Sequence, residues 1–541
     1  MRRAAWILLA LAAAAQDALA KKAPPPPPEI PPAEGVHLAR VEGGTRLDAV
    51  LPGSLRGYAL PRRADGSRDI VLLVGTVRPT TLQKRDEKQR AVTTPCDGVD
   101  PVEAARAAPT ELLRLDPSGS GGLEVLRDDL PADAEGLDAL DLDGDGNEEL
   151  LIFLSGEIRS LRDAEGKRFA GAPEPLVSDP SLGEGAREPR VVRSASTSGA
   201  LFPVATAEGL HAYGRLADGR FGLASNTPLP VSTSMSGRRI RVITPSVTEI
   251  GARPGGTSML AASGDGDGEI RSDRLRSILL DPSAEPARRA VECWSKLPAR
   301  EWLHDRFYRS LDGRPAMIVT TTPANKLKIF GEKWLRLFLL EEDRTKAGKA
   351  PVLAADIGAS LWQSVEPVFL DVNGDGRTDL VVSYWKGMKK DAVKLDAFLR
   401  NEDGSFDPTP RGTTIDAKDG DRTFLEYGRD IDGDGAADLL VLAEGKVLIF
   451  PGVKAPPKGE GIVAATPRYS LPLPSFSSLA SSGSIVVSVG SEGMSAETRR
   501  AGLGSPRPID LDGDGRPEIL IDANLKDGRS AIVIFRLATR P

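Results

Sequence analysis

Asp371-Val372-Asn373-Gly374-Asp375-Gly376-Arg377-Thr378-Asp379 decides the fold, and Leu380-Val381-Val382-Ser383-Tyr384-Trp385 follows it directly. Oxygen-bearing side chains stand at positions 1, 3, 5 and 9 of the first stretch: Asp371, Asn373, Asp375 and Asp379. A hard divalent cation, calcium above all, takes roughly six to eight oxygen ligands. Oxygens at alternate residues of a tight loop can converge on one such ion. Gly374 and Gly376 supply backbone freedom, including the positive φ that a side chain resists. The apolar run behind reads as a buried strand. The unit is therefore a cation loop that feeds straight into a strand.

The same unit recurs three times. Asp141, Asp143, Asp145, Asn147 and Glu149 precede Leu150-Leu151-Ile152-Phe153-Leu154. Asp430, Asp432, Asp434, Ala436 and Asp438 precede Leu439-Leu440-Val441-Leu442. Asp510, Asp512, Asp514, Arg516 and Glu518 precede Ile519-Leu520-Ile521. An EF-hand also opens with alternating acids, but it closes on a bidentate Glu at position 12 between helices. Position 12 here is Ile152, Val382, Val441 or Ile521, inside the apolar run. The loop closes on its ninth residue, and a helix behind it is not expected.

These four loops resemble the FG-GAP/VCBS repeats, the β-propeller modules also found in integrin α chains. Weaker phrases add to the likeness, namely Phe398 to Phe406 and Arg215 to Phe221, each ending a strand in a D-G-x-F turn. The resemblance is specific over about residues 137–160 and 361–541 and looser elsewhere. It implies an all-β chain, a propeller of four-stranded blades with structural calcium in loops that join two strands of a blade. The expected ligands are the side chains at positions 1, 3, 5 and 9. The backbone carbonyl at position 7 joins them, from Asn147, Arg377, Ala436 and Arg516. Asn373 replaces an acid with a neutral oxygen, which weakens that site relative to the Asp430 loop.

The rest of the chain fits this frame. It has 541 residues, 56 Gly, 43 Pro and few aromatics, a mix suited to short strands and turns. The net charge of −7 is spread without a basic stripe, so nucleic-acid binding is not expected. Met1-Arg2-Arg3 and the apolar run to Ala15, with Ala18-Leu19-Ala20 behind, read as a secretory signal over residues 1–20. Residues 21–35 hold Pro24 to Pro28, Pro31 and Pro32 and read as a stiff linker. Residues 36–541 are then one propeller domain. Secretion, the periplasm or the cell surface is the expected location, where calcium is abundant. Of the two cysteines, Cys96 and Cys293, both a disulfide and two free thiols remain open.

Strand-like runs and turns divide the domain into seven blades, or eight if residues 236–290 form one. That segment holds a degenerate acidic loop at 263–273, in which a glycine or the ninth acid is always missing. Short helices are expected over 103–108 and 286–294. The run Ala531 to Arg536 should be a closing strand, because a ring must pair its last blade with its first.

No hydrolase elbow, metalloprotease motif or phosphate loop is present. His37, His211 and His304 sit beside no recognisable nucleophile. Trp294, Trp302, Trp334, Trp362 and Trp385 suit core packing better than a sugar-stacking face. The expectation is a monomeric, non-catalytic binding or scaffolding module for a protein or carbohydrate outside the cytosol. A polysaccharide lyase or hydrolase and a cation-dependent adhesin are the alternatives.

Overall fold

The computed structural model describes most residues between 33 and 538. The main stretches outside the described residues are 1–32, 95–109, 183–200, 241–246, 263–273, 281–289, 324–331, 341–351, 361–364, 475–484 and 499–505. The signal segment, the proline run, Cys96, Trp362, the degenerate acidic loop and the helix expected over 103–108 all fall there.

The described chain is strand after strand, with one 3-10 turn at Pro180–Leu182 and no α-helix. Neighbours in sequence pair antiparallel, so sheets 1 to 7 below are meanders. Sheet 1 comprises Ser54–Ala59, Ile70–Gly75, Thr110–Leu115 and Leu123–Leu130. Sheet 2 comprises Gly136–Leu140, Glu149–Leu154, Glu157–Leu161 and Glu174–Ser178. Sheet 3 has three strands, Leu201–Ala205, Leu210–Arg215 and Phe221–Thr227.

Sheet 4 runs in four strands from Val247–Arg253 to Ala290–Lys296. The uncertain segment is thus a full sheet. The helix expected over 286–294 is overturned there. Ala290–Lys296 pairs over its whole length with Arg274–Leu280, a partner distant enough in sequence to override local helical propensity. Sheet 5 runs in four strands from Glu301–Leu311 to Val352–Ser360.

Sheet 6 comprises Glu366–Leu370, Asp379–Lys386, Ala392–Phe398 and Arg411–Asp416. Sheet 7 comprises Arg422–Arg429, Asp438–Ala443, Lys446–Phe450 and Tyr469–Pro472. Sheet 8 draws on both ends of the described chain. Arg507–Ile509, Glu518–Asn524 and Ser530–Leu537 are continued by Gly44–Val50 and Gly35–Val41. The last strand pairs antiparallel with Gly44–Val50 from Gly44 opposite Leu537 to Val50 opposite Ala531.

The core lies between sheets. In strand Ile70–Gly75, Ile70, Leu72 and Val74 pack with Leu520, Ile532 and Ile534 of sheet 8. The alternate residues Val71 and Leu73 pack with Leu137, Leu150 and Ile152 of sheet 2. A period-2 strand buried on both faces has no polar side, so it reads as an unbroken apolar run. The same holds in sheet 7, where Leu439 and Val441 meet sheet 6 and Leu440 and Leu442 meet sheet 8. Further clusters join sheets 5 and 6, and sheets 2 and 3. Trp385 belongs to the core between sheets 6 and 7 at 5% exposure, which removes it from any exposed aromatic face.

Candidate metal centres

All four acidic loops occupy the same place, the connection from the first to the second strand of sheets 2, 6, 7 and 8. They share one set of hydrogen bonds. The Asp at position 1 accepts the N–H groups of the glycines at positions 4 and 6. The distances are 2.6 and 3.1 Å at Asp141 and 2.7 and 2.8 Å at Asp371. They are 2.8 and 2.7 Å at Asp430 and 2.8 and 3.1 Å at Asp510. Both glycines of each loop have positive φ, for example 76° at Gly433 and 83° at Gly435. The Asp at position 5 accepts the N–H of position 7, at 2.6 Å for Asp145 and 2.8 to 2.9 Å for Asp375, Asp434 and Asp514.

The acid at position 9 is the buried anchor. Glu149, Asp379, Asp438 and Glu518 are 8%, 0%, 0% and 3% exposed. Each accepts the N–H of position 2, at 2.5, 3.2, 2.8 and 2.9 Å. Burial, the largest influence, pushes Glu149 up to about 7 and Asp438 up to about 6. It raises Asp379 and Glu518 as well. Desolvation disfavours an anion unless positive charge comes near.

Three loops bring carboxylate oxygens together. In each of the sets Asp141–Asp143–Glu149, Asp430–Asp432–Asp438 and Asp510–Asp512–Asp514, one oxygen per residue lies within 4.8 Å of the others. Asp145, Asp434 and Glu518 stand outside these triads. The Asp371 loop forms no such triad. Its Asp375 is engaged by the Arg377 guanidinium at 2.6 Å and by the Asn373 amide at 2.9 Å. Arginines attend the other three loops as well, with Arg162 lying 3.9 Å from Asp143. Arg468 pairs with Asp432 and lies 3.6 Å from Asp434, and Arg536 contacts Glu518 at 2.8 Å and Asp512 at 3.3 Å. The donor set is all oxygen and anionic, and it fits a hard cation.

At position 7, the Asn147 and Arg377 side chains donate to the position-5 acid of their own loops, at 3.1 and 2.6 Å, and also reach outside them. The Asn147 Oδ1 accepts the Ala64 N–H at 3.2 Å, and Arg377 Nε donates to the Arg400 carbonyl at 3.0 Å. Ala436 and Arg516 give their backbone N–H to the loop.

Among the histidines, His37 is exposed on its strand and His304 lies on Glu301–Leu311. His211, which the sequence does not distinguish, is 2% exposed. Its Nδ1 is 3.2 Å from the Tyr213 hydroxyl, which donates to Asp179 at 2.6 Å. This group ties sheet 3 to the end of sheet 2.

Residues 371–441 match the profile of the FG-GAP-like repeat family. A segment of 75 residues is 35% identical to Protein HesB of Nostoc sp. and one of the same length is 36% identical to the heterocyst HesB of Trichormus variabilis. Each match covers 14% of this chain, and the chain spans 61% of the length of these curated relatives. Similar solved structures include Kluyveromyces lactis Hsv2, at 10% identity and a TM-score of 0.32 over 73% of this chain and 93% of that one. The Cps50 (Swd1) β-propeller domain of Myceliophteria thermophila has 12% identity and a TM-score of 0.32 over 74% and 98%. A putative 6-phosphogluconolactonase from Bacteroides uniformis has 14% identity and a TM-score of 0.31 over 67% and 92%. Residues 371–441, which hold the Asp371 and Asp430 loops on consecutive sheets, thus carry an FG-GAP-like repeat.

Proposed function

We propose that the chain is a calcium-stabilised β-propeller that works outside the cytosol as a monomeric, non-catalytic binding or scaffolding module. The observation that carries this reading is the repeated loop. Four times, an acidic turn with one hydrogen-bond pattern anchors the second strand of a sheet, and three times its carboxylate oxygens converge. Converging carboxylates repel one another until a cation neutralises them. A bound calcium supplies that charge and favours the folded form by mass action. The acids at positions 1, 3, 5 and 9 would hold it.

The ring is supported by the succession of inter-sheet cores and by sheet 8, which joins strands from both ends of the described chain. The described residues contain eight sheets of three or more strands, which favours eight blades over seven. Export is supported by the amino-terminal sequence.

The test is calcium content and melting. Protein dialysed against calcium should retain several equivalents of the ion, and excess chelator should lower its melting temperature. An unchanged melt in chelator sinks the structural role of calcium.

A further inference from the structure

The chain carries a net charge of −7, yet one cavity gathers arginines. The cavity has a volume of about 840 Å³, inside the range of about 300–1,000 Å³ common for small-molecule sites. Its wall comes largely from the first strands of sheets 1, 2, 7 and 8. Five arginines line it, Arg56, Arg62, Arg68, Arg429 and Arg507, against three aspartates, Asp138, Asp510 and Asp522. One of those acids is already engaged, because Asp510 accepts two N–H groups of its own loop.

Two arginines are set out for a ligand. Arg507 donates to the Tyr58 hydroxyl, and its guanidinium lies 5.3 Å from the centre of the Tyr58 ring. The tyrosine therefore orients a planar cation at the cavity wall. Arg429 is exposed and has no ion-pair partner among the described residues. Like charges brought together in a partly enclosed space cost free energy, and a cleft lined by one sign of charge concentrates ions of the other. The guanidinium fork matches a carboxylate or a phosphate through two parallel hydrogen bonds.

We propose that this cavity binds a small molecule whose negative charge sits on carboxylate or phosphate groups, with Arg429 and Arg507 as its main holders. This gives the binding-module reading a class of ligand, and it rests on that reading.

Isothermal titration calorimetry in fixed, saturating calcium tests it, with digalacturonate, trehalose 6-phosphate and neutral trehalose as probes. At least one anion binds, trehalose does not, and R429Q and R507Q each weaken the anion about tenfold. Both variants keep the response of the melting temperature to chelator. Binding of digalacturonate alone assigns a carboxylate ligand, and binding of the phosphosugar alone assigns a phosphorylated one. No binding of either anion overturns the inference. So does equal binding of trehalose, or anion binding that neither substitution moves. If R507Q fails to fold without its contact to Tyr58, R429Q carries the test. Failure here leaves a chelator-sensitive melt untouched, so the loss of this inference and the loss of structural calcium are distinguishable.

Discussion

Asp438 is fully buried, and its carboxylate accepts three backbone N–H groups, from Ile431 at 2.8 Å, Asp432 at 3.1 Å and Gly452 at 2.8 Å. One side chain thus ties the acidic loop to the turn that follows the third strand of its own sheet. Replacing it by Ala leaves buried donors unpaired, at a cost of about 1–3 kcal/mol for each donor that water cannot reach. Asp438→Ala should lower stability by at least about 2 kcal/mol in urea denaturation with calcium present. A smaller loss than in Asp434→Ala would contradict the anchoring role. Glu426, on the first strand of sheet 7, offers a second test. Burial pushes its carboxyl from the usual 4.5 up to about 7, against the opposing pull of Arg429 and Arg507. The folded state then binds the proton more tightly than the unfolded state, so this group's contribution is full below about pH 4.5 and is lost as pH rises to about 7. Denaturation of wild type and Glu426→Gln at several pH values should show wild type losing ground across that window and levelling off above it. Parallel curves would remove the effect.

At the scale of elements, each loop also touches its neighbours. The Arg68 N–H donates to the Leu511 carbonyl at 2.8 Å, while the Arg62 N–H donates to Glu148 at 2.8 Å. One turn of sheet 1 is therefore held by the loops of sheets 8 and 2. A Cβ at Gly513 would meet the backbone of Gly66 and Ser67 at 3.0 Å, whereas one at Gly515 meets nothing within 4 Å. Both glycines have positive φ, 80° and 87°, so both Ala variants share the conformational penalty. Gly513→Ala should nevertheless melt several degrees below Gly515→Ala, and equal melting points would mean that the turn yields freely. Replacing Asp432 and Asp434 together by Ala should release one calcium and leave the others, as counted by metal analysis. Loss of every calcium would show that these contacts make the loops act as one.

What could be read in advance follows from range. The acidic loops are local, so residue order alone pointed to glycines at positive φ and to a strand directly behind the ninth acid, whereas the burial of that acid is visible only in the structure. Asp371 shows the limit of that reading. Its loop has the expected spacing, but Arg377 and Asn373 draw Asp375 aside. Strand Ala290–Lys296 was misread as helical because the pairing with Arg274–Leu280 that fixes it lies outside the segment itself. Arg56, Arg429 and Arg507 are scattered along the sequence, and only the meeting of first strands makes them a cluster.

The whole molecule depends on sheet 8. Deleting residues 34–50 would leave Ser530–Leu537 as a bare edge, a template for pairing with another chain. That truncation should aggregate during refolding, measured by light scattering, and a stable monomer would argue against an essential seam. The register carries a mechanical meaning too. Gly35–Val41 and Ser530–Leu537 both pair antiparallel with Gly44–Val50, so the two outer strands point the same way. Tethers fixed before Gly35 and after Leu537 would pull along the strand axes in opposite directions. The rungs of hydrogen bonds would then bear the load side by side rather than tear one at a time. Forced rupture reports the unfolding rate, and shear of this kind makes it slow. A module stretched between an anchor and a captured particle would hold best along that line.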